Sequence, residues 1–321
     1  MATLTSALTS PADAALPDPL LVNFKSVRFI FVPDAERGRV NVIAEPKLPQ
    51  VELTHSIKLN GGGCGNFRAG IKADIQNTPR AARVTLTGTM PAACGERSWY
   101  LGLLSPAEYA YGLFKTLWEE SGGVLRGRWR DGVPGGDARL LTSAESPALA
   151  EVIRDINKFS NNVMARHLYL TLSSELMKAP GTGDRSGRTI AQWLGEKGLD
   201  MPELVMENGS GLSRIERISA GSLGRLLVTA FGSSVMPEFM SSMPLVAVDG
   251  SMRRRLRFGS VAGQAHIKTG GLNDVSTIAG YTLDQRGRRY AVAFFVNHAN
   301  AHATNAAQDE FLKWVQQGAG R

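Results

Sequence analysis

Only two cysteines, no apolar run of membrane length and few runs of like charge set the first limits on this 321-residue chain. Cys64 and Cys94 are too far apart for a metal knuckle, and no second pair exists to complete a zinc site. In an exported protein they would close one disulfide loop; in a cytosolic one they would be two inert thiols. No Gly-x-Ser-x-Gly elbow occurs, and the five histidines form no triad motif. His298 and His302 stand at helical spacing, but no glutamate lies between them, so they read as a surface pair rather than metal ligands. Residues 1 to 10 have neither a basic leader nor a sustained apolar core, so neither a signal peptide nor a membrane span is expected.

What is present describes an ordinary globular protein: 43% hydrophobic and 20% charged residues, with enough length for two domains. The net charge of +7 and a pI near 9.6 would suit an acidic partner, but the lysines and arginines are scattered. Arg253-Arg-Arg-Leu-Arg257 is short enough to read as a solvated face, so no nucleic-acid partner is expected. No cofactor and no metal are expected either.

Residues 1–19 read as a loose lead-in punctuated by Pro11, Pro17 and Pro19. Strand-like text follows at 21–32, 40–43, 51–59, 67–75 and 82–88, with the turn-rich Asn60-Gly-Gly-Gly-Cys-Gly65 among them, which gives a β-rich region over 20–140. That glycine run lacks the Gly-Lys-Ser/Thr ending of a phosphate loop and reads as a hairpin. Ser105-Pro106 opens a helix with Glu108 in the capping-box position, and a strand is expected at 124–129. From 141 to 321 the text turns helical. Helices are expected from Ser146 to Ile156, from about 161 to 176, from Thr189 to Lys197, from Ser219 to Phe231 and from Ala303 to Gln316. In the second, Val163, Met164, His167, Leu168, Thr171, Leu172 and Leu176 share a face; in the last, Ala307, Phe311, Trp314 and Val315 point inward. Three antiparallel strands lie between 264 and 298, and the whole region is an α+β arrangement.

The chemistry concentrates in His266-Ile-Lys-Thr-Gly270 on the first of those strands. Lys268 supplies a fixed positive charge, the Thr269 hydroxyl can hold a carboxylate oxygen, and Gly270 removes the side chain that would block a peptide laid along the strand. Alone, such a triplet is an ordinary strand end. Its partner is Ser160-Asn-Asn162 at a helix boundary, because Ser-x-Asn followed at long range by Lys-Thr-Gly pairs up in penicillin-recognising serine enzymes. Ser160 also suits a plain N-cap, Asn162 a first-turn surface residue and Lys268 a solvated strand lysine.

With Glu207-Asn-Gly-Ser-Gly-Leu-Ser-Arg214 and Val248-Asp-Gly-Ser-Met-Arg-Arg-Arg255 falling between them in order, these motifs make the chain resemble the D-alanyl-D-alanine carboxypeptidase/endopeptidase family, the class C low-molecular-mass penicillin-binding proteins. The resemblance implies that 141–321 is the C-terminal part of a penicillin-binding, β-lactamase-like transpeptidase domain, preceded by a β-rich inserted region. It implies acyl transfer on peptidoglycan peptides ending in D-Ala-D-Ala, and β-lactams as ligands once a nucleophile is supplied. Ser160 would relay a proton, Asn162 would hold the substrate backbone and the catalytic lysine, and Lys268 would sustain the positive field. Thr269 would take the terminal carboxylate, Gly270 would let substrate pair with the strand, and the Gly271 N–H would give half of the oxyanion hole. The resemblance also implies a periplasmic location.

The family's nucleophile comes from Ser-x-x-Lys, and no serine in these 321 residues has a lysine three positions on. Ser222-Leu-Gly-Arg225 and Ser251-Met-Arg-Arg254 come nearest, but arginine stays protonated and cannot serve as base. The expectation is a fragment that is inactive alone. The alternatives are a non-catalytic module that binds wall peptide, or a β-lactamase or esterase-like relative.

Overall fold

The computed structural model describes residues 16–78, 81–133 and 135–318; the lead-in up to residue 15 lies outside them. The chain divides into two compact units between Leu140 and Leu141.

The first unit is built on one six-stranded sheet of β1 (Ser26–Asp34), β2 (Arg39–Glu45), β3 (Val51–Asn60), β4 (Ile71–Asn77), β5 (Ala82–Pro91) and β6 (Arg97–Gly102), in the order β4-β5-β3-β2-β1-β6. Alternation sets its inner face: Val27, Phe29 and Phe31 on β1 and Ala82, Val84 and Leu86 on β5 are fully buried, while Arg28 and Arg83 point away. One helix, α1 (Pro106–Glu120), adds Tyr109 to this core and starts on the expected capping box, Ser105 accepting from the Glu108 N–H while the Glu108 carboxylate accepts from the Ser105 N–H. Cys64 and Cys94 form a disulfide.

Four expectations here need correction. The 60–65 run is no hairpin, because β3 pairs with β2 and β5 rather than with β4, and the strand expected from 67 starts at Ile71, after a short helical turn over Phe67–Gly70. The first strand begins at Ser26 rather than Leu21, because Asn23, Phe24 and Lys25 take positive φ in a short helical turn where the Asn23 amide donates to Tyr109 Oη and the Ser26 carbonyl. No strand forms at 124–129. Val124 stays 75% exposed with no ladder partner, Gly127 has a φ of +97°, and the Tyr111 hydroxyl donates to the Gly127 carbonyl instead.

The second unit holds α2 (Leu149–Phe159), α3 (Asn162–Met177), α4 (Gly183–Glu196), α5 (Ala220–Phe231), α6 (Met236–Ser242) and α7 (Asn305–Gln316) around a three-stranded antiparallel sheet. Its strands are β7 (Ala265–Leu272), β8 (Val275–Leu283) and β9 (Arg289–Asn297), in sequence order. One face packs Ile267, Ile278 and Val292 against Leu312 and Val315 of α7. The other packs Tyr281 against Leu227 of α5 and Met243, and the Tyr281 hydroxyl donates to the Leu227 carbonyl. The region is α+β, as expected, and no helix among the described residues is long and apolar enough to cross a membrane.

The helices depart from expectation wherever small or polar residues occupy the buried line. In α3 it runs through Tyr169 and Ser173, leaving Leu176 69% exposed, because Ser173 Oγ pairs with Ser186 Oγ of α4 at 2.8 Å and Tyr169 donates to the Gly183 carbonyl. α4 starts six residues before Thr189, capped by Thr182. In α7 Gln308 and Leu312 are inward and Trp314 is 57% exposed; the Gln308 amide donates to Ser276 of β8. α2 begins at Leu149, past Ser146 and Pro147, and no side chain caps it. α6 was not foreseen.

Candidate active site

Ser160 sits in the left-handed region (φ 54°, ψ 47°) as the residue that ends α2. The helix cap after it is Asn161, whose side chain accepts the Met164 N–H at 3.0 Å, so the Ser160 hydroxyl is not spent on capping. A non-glycine residue held in that conformation costs about 1–3 kcal/mol and persists only where its surroundings fix it. Here they do. Lys158 Nζ reaches Asp249 Oδ2 at 2.7 Å, Asp249 Oδ1 accepts the Leu245 N–H at 2.7 Å, and Gly250 (φ +55°) passes so close that a Cβ there would stand 2.7 Å from the Lys158 carbonyl. The end of α2 is thereby clamped to the 244–252 segment.

That segment in turn lies on β7. Leu245 bridges to His266, and the Ile267 N–H donates to the Pro244 carbonyl at 2.8 Å, on the side away from β8. Backbone groups alternate along a strand, so the N–H groups of Thr269 and Gly271 face that same outer edge. Among the described residues no strand pairs with it there. Gly270 is opposite Thr277, whose hydroxyl donates to the Gly270 carbonyl at 3.3 Å; a Cβ at 270 would meet that hydroxyl at 2.5 Å.

Lys268 closes the arrangement. Its ammonium donates to Ser160 Oγ and to the Thr269 carbonyl, both at 2.7 Å. Burial pushes its pKa down to about 8, so at neutral pH it remains mostly protonated. His266, two residues earlier, is held below the ordinary histidine range by burial and by the Lys158 and Arg289 charges. Thr269 Oγ1 lies 2.8 Å from Ser251 Oγ.

Ser160 and Lys268, 108 residues apart in sequence, thus meet in one site, with Thr269, Gly270 and Gly271 continuing along β7 and Asn162 in the first turn of α3. The Glu207–Arg214 motif forms a loop wound on Glu216, whose carboxylate accepts the N–H groups of Glu207, Asn208, Gly209 and Gly211. Arg214 pairs with Asp274 in the β7–β8 turn and pulls that carboxyl below its usual pKa. Lys158, Asp249 and Glu216 have no role in the sequence-based expectations, and Ser251 enters them only as the start of a Ser-x-x-Arg run that cannot supply a nucleophile.

The D-Ala-D-Ala carboxypeptidase 3 (S13) family matches residues 9–317. The D-alanyl-D-alanine carboxypeptidase of Actinomadura sp. (strain R39) is 29% identical over 245 residues, 74% of this chain and 45% of that protein. Penicillin-sensitive carboxypeptidase A of Dictyostelium discoideum is 23% identical over 282 residues, 84% of this chain and 52% of that one. The chain spans about half the length of these two relatives. Among solved structures, penicillin binding protein 4 of Haemophilus influenzae, complexed with a β-lactam, superposes with a TM-score of 0.70 at 17% identity, covering 92% of this chain and 69% of that one. The shared fold is the mixed α+β one of penicillin-binding proteins.

Proposed function

Because this chain belongs to the D-Ala-D-Ala carboxypeptidase 3 (S13) family, we propose that its site between α2 and β7 receives a peptidoglycan stem peptide ending in D-Ala-D-Ala. The reaction it serves is serine-type carboxypeptidase or endopeptidase cleavage. A serine oxygen bonds to the carbonyl carbon before the terminal D-Ala, or at a cross-link, and the C–N bond breaks. The leaving amine takes a proton, and water then frees the acyl group. In this reading Ser160 passes the proton to the leaving amine and Asn162 holds the substrate backbone. Lys268 supplies the positive field, Thr269 binds the terminal carboxylate, Gly270 admits the peptide to the strand edge, and the Gly271 N–H steadies the oxyanion.

The observation that carries this is the 2.7 Å contact between Lys268 Nζ and Ser160 Oγ, with the Thr269 hydroxyl on the next residue. These 321 residues contain no Ser-x-x-Lys, so they hold the recognition and proton-relay half of such a site and neither hydrolyse peptide nor take up penicillin by themselves. The same absence favours, as a second reading, a module that binds wall peptide without turnover. The Cys64–Cys94 disulfide supports placement outside the reducing cytosol, in the periplasm.

The test is an NMR titration of the labelled chain with an N-acylated peptide ending in D-Ala-D-Ala. Shifts at Thr269 and Gly271 that vanish in Lys268→Ala support the assignment; an unresponsive spectrum removes it.

A further inference from the structure

Ser251 is an exposed hydroxyl with no part in the roles described so far. It follows Gly250, held at positive φ against the Lys158 carbonyl, and precedes Met252, which is fully buried in the core beneath β7. The residues on both sides are therefore fixed, and Ser251 cannot drift far from where its Oγ meets Thr269 Oγ1 at 2.8 Å. Asp249, two residues earlier, is the partner of Lys158. One four-residue stretch thus touches both arms of the site: Asp249 steadies the helix end that carries Ser160, and Ser251 meets the strand that carries Lys268.

We infer that Ser251 is a positioning residue for carboxylate recognition, acting through Thr269. The inference rests on the reading of Thr269 as the group that takes the substrate's terminal carboxylate. A hydroxyl has one proton and two lone pairs, and its rotor turns to suit its neighbours. When Ser251 donates to Thr269 Oγ1, one Thr269 lone pair is occupied and the threonine proton turns away, toward the open side of β7. A donor that is itself accepting is also the stronger donor, because hydrogen bonds in a chain polarise one another. Either hydroxyl can donate in the free pair, but a carboxylate, which only accepts, takes the Thr269 proton and leaves Ser251 as the donor that holds it in that direction. A C-terminal amide, which presents donors as well as an acceptor, gains less.

Two ligands separate this role from a structural one: an N-acylated peptide ending in D-Ala-D-Ala, and the same peptide with its C-terminus amidated. The wild-type chain binds the acid more tightly than the amide. Ser251→Ala loses about five- to tenfold in affinity for the acid, the worth of one hydrogen bond, with the amide unchanged. Ser251→Thr restores the acid's advantage. Equal weakening of acid and amide in Ser251→Ala would make the residue a loop support and overturn the inference, as would affinities identical to wild type; in either case the Thr269 reading stands. A wild-type chain that shows no preference for the acid ends the Thr269 reading, and the inference with it.

Discussion

Lys158 and Asp249, 91 residues apart, close a 2.7 Å ion pair two residues from Ser160, and the same aspartate accepts the Leu245 N–H. The Lys158 side chain is only 12% exposed, whereas that of Asp249 is 42% exposed. Removing the acid strands a charge that water reaches poorly; removing the base leaves one that water can hydrate. Asp249→Ala should therefore lower stability by about 1–3 kcal/mol, less than a fully buried pair would lose, and Lys158→Met by less. Urea unfolding measures both, and a reversed order would contradict the role given to the pair.

The second prediction concerns pH. With the Lys268 pKa at about 8 in the folded chain and near 10.5 in the unfolded one, the unfolded state holds the extra proton between those values. Stability should rise as pH climbs from 8 toward 10.5, and Lys268→Met should be more stable than wild type at pH 7 by about 1–3 kcal/mol. Binding runs the other way: affinity for a D-Ala-D-Ala peptide should hold to pH 7 and fall as the ammonium is lost above 8. Parallel urea and binding measurements across pH 6–10 check both slopes, and a flat binding profile would deny the lysine its electrostatic role.

Acylation is the third. Incubated with a fluorescent penicillin, these 321 residues should give no covalent band on a denaturing gel, since Ser160 lacks a lysine three positions on. A band that disappears in Ser160→Ala would instead make Ser160 the nucleophile.

Reduction of the Cys64–Cys94 bond is the fourth. The bridge spans 30 residues of the first unit, and its loss should cost about 3 kcal/mol there. The double variant Cys64→Ser and Cys94→Ser should unfold earlier in urea when followed by Trp99 fluorescence, while Lys268 remains unaffected. An unchanged midpoint would show that the bond adds nothing.

The strand motif was legible only in company: a charge, a hydroxyl and a missing side chain in one short run are by themselves an ordinary strand end, and the order Ser-x-Asn then Lys-Thr-Gly gave them weight. Ser160 was legible through that partner, though its left-handed backbone was not, since serine rarely adopts it. The clamp behind it stayed hidden because an ion pair between residues 158 and 249 leaves no trace in local pattern. Helix faces failed for a different reason. Reading apolar residues as inward missed Ser173, Ser186 and Gln308, which are buried because each finds a polar partner across the packing line. Glycines at 183 and 187 likewise hid the first turns of α4, whose close approach to its neighbours they permit.

The strip formed by Pro244, Leu245 and Val246 takes up the outer rim of β7 as far as Ile267. What is left runs only from Thr269 to Leu272, roughly 13 Å at about 3.3 Å per residue. A chain laid along this edge has room for about three residues before it meets the strip, so Pro244 to Val246 set one end of whatever β7 can pair with.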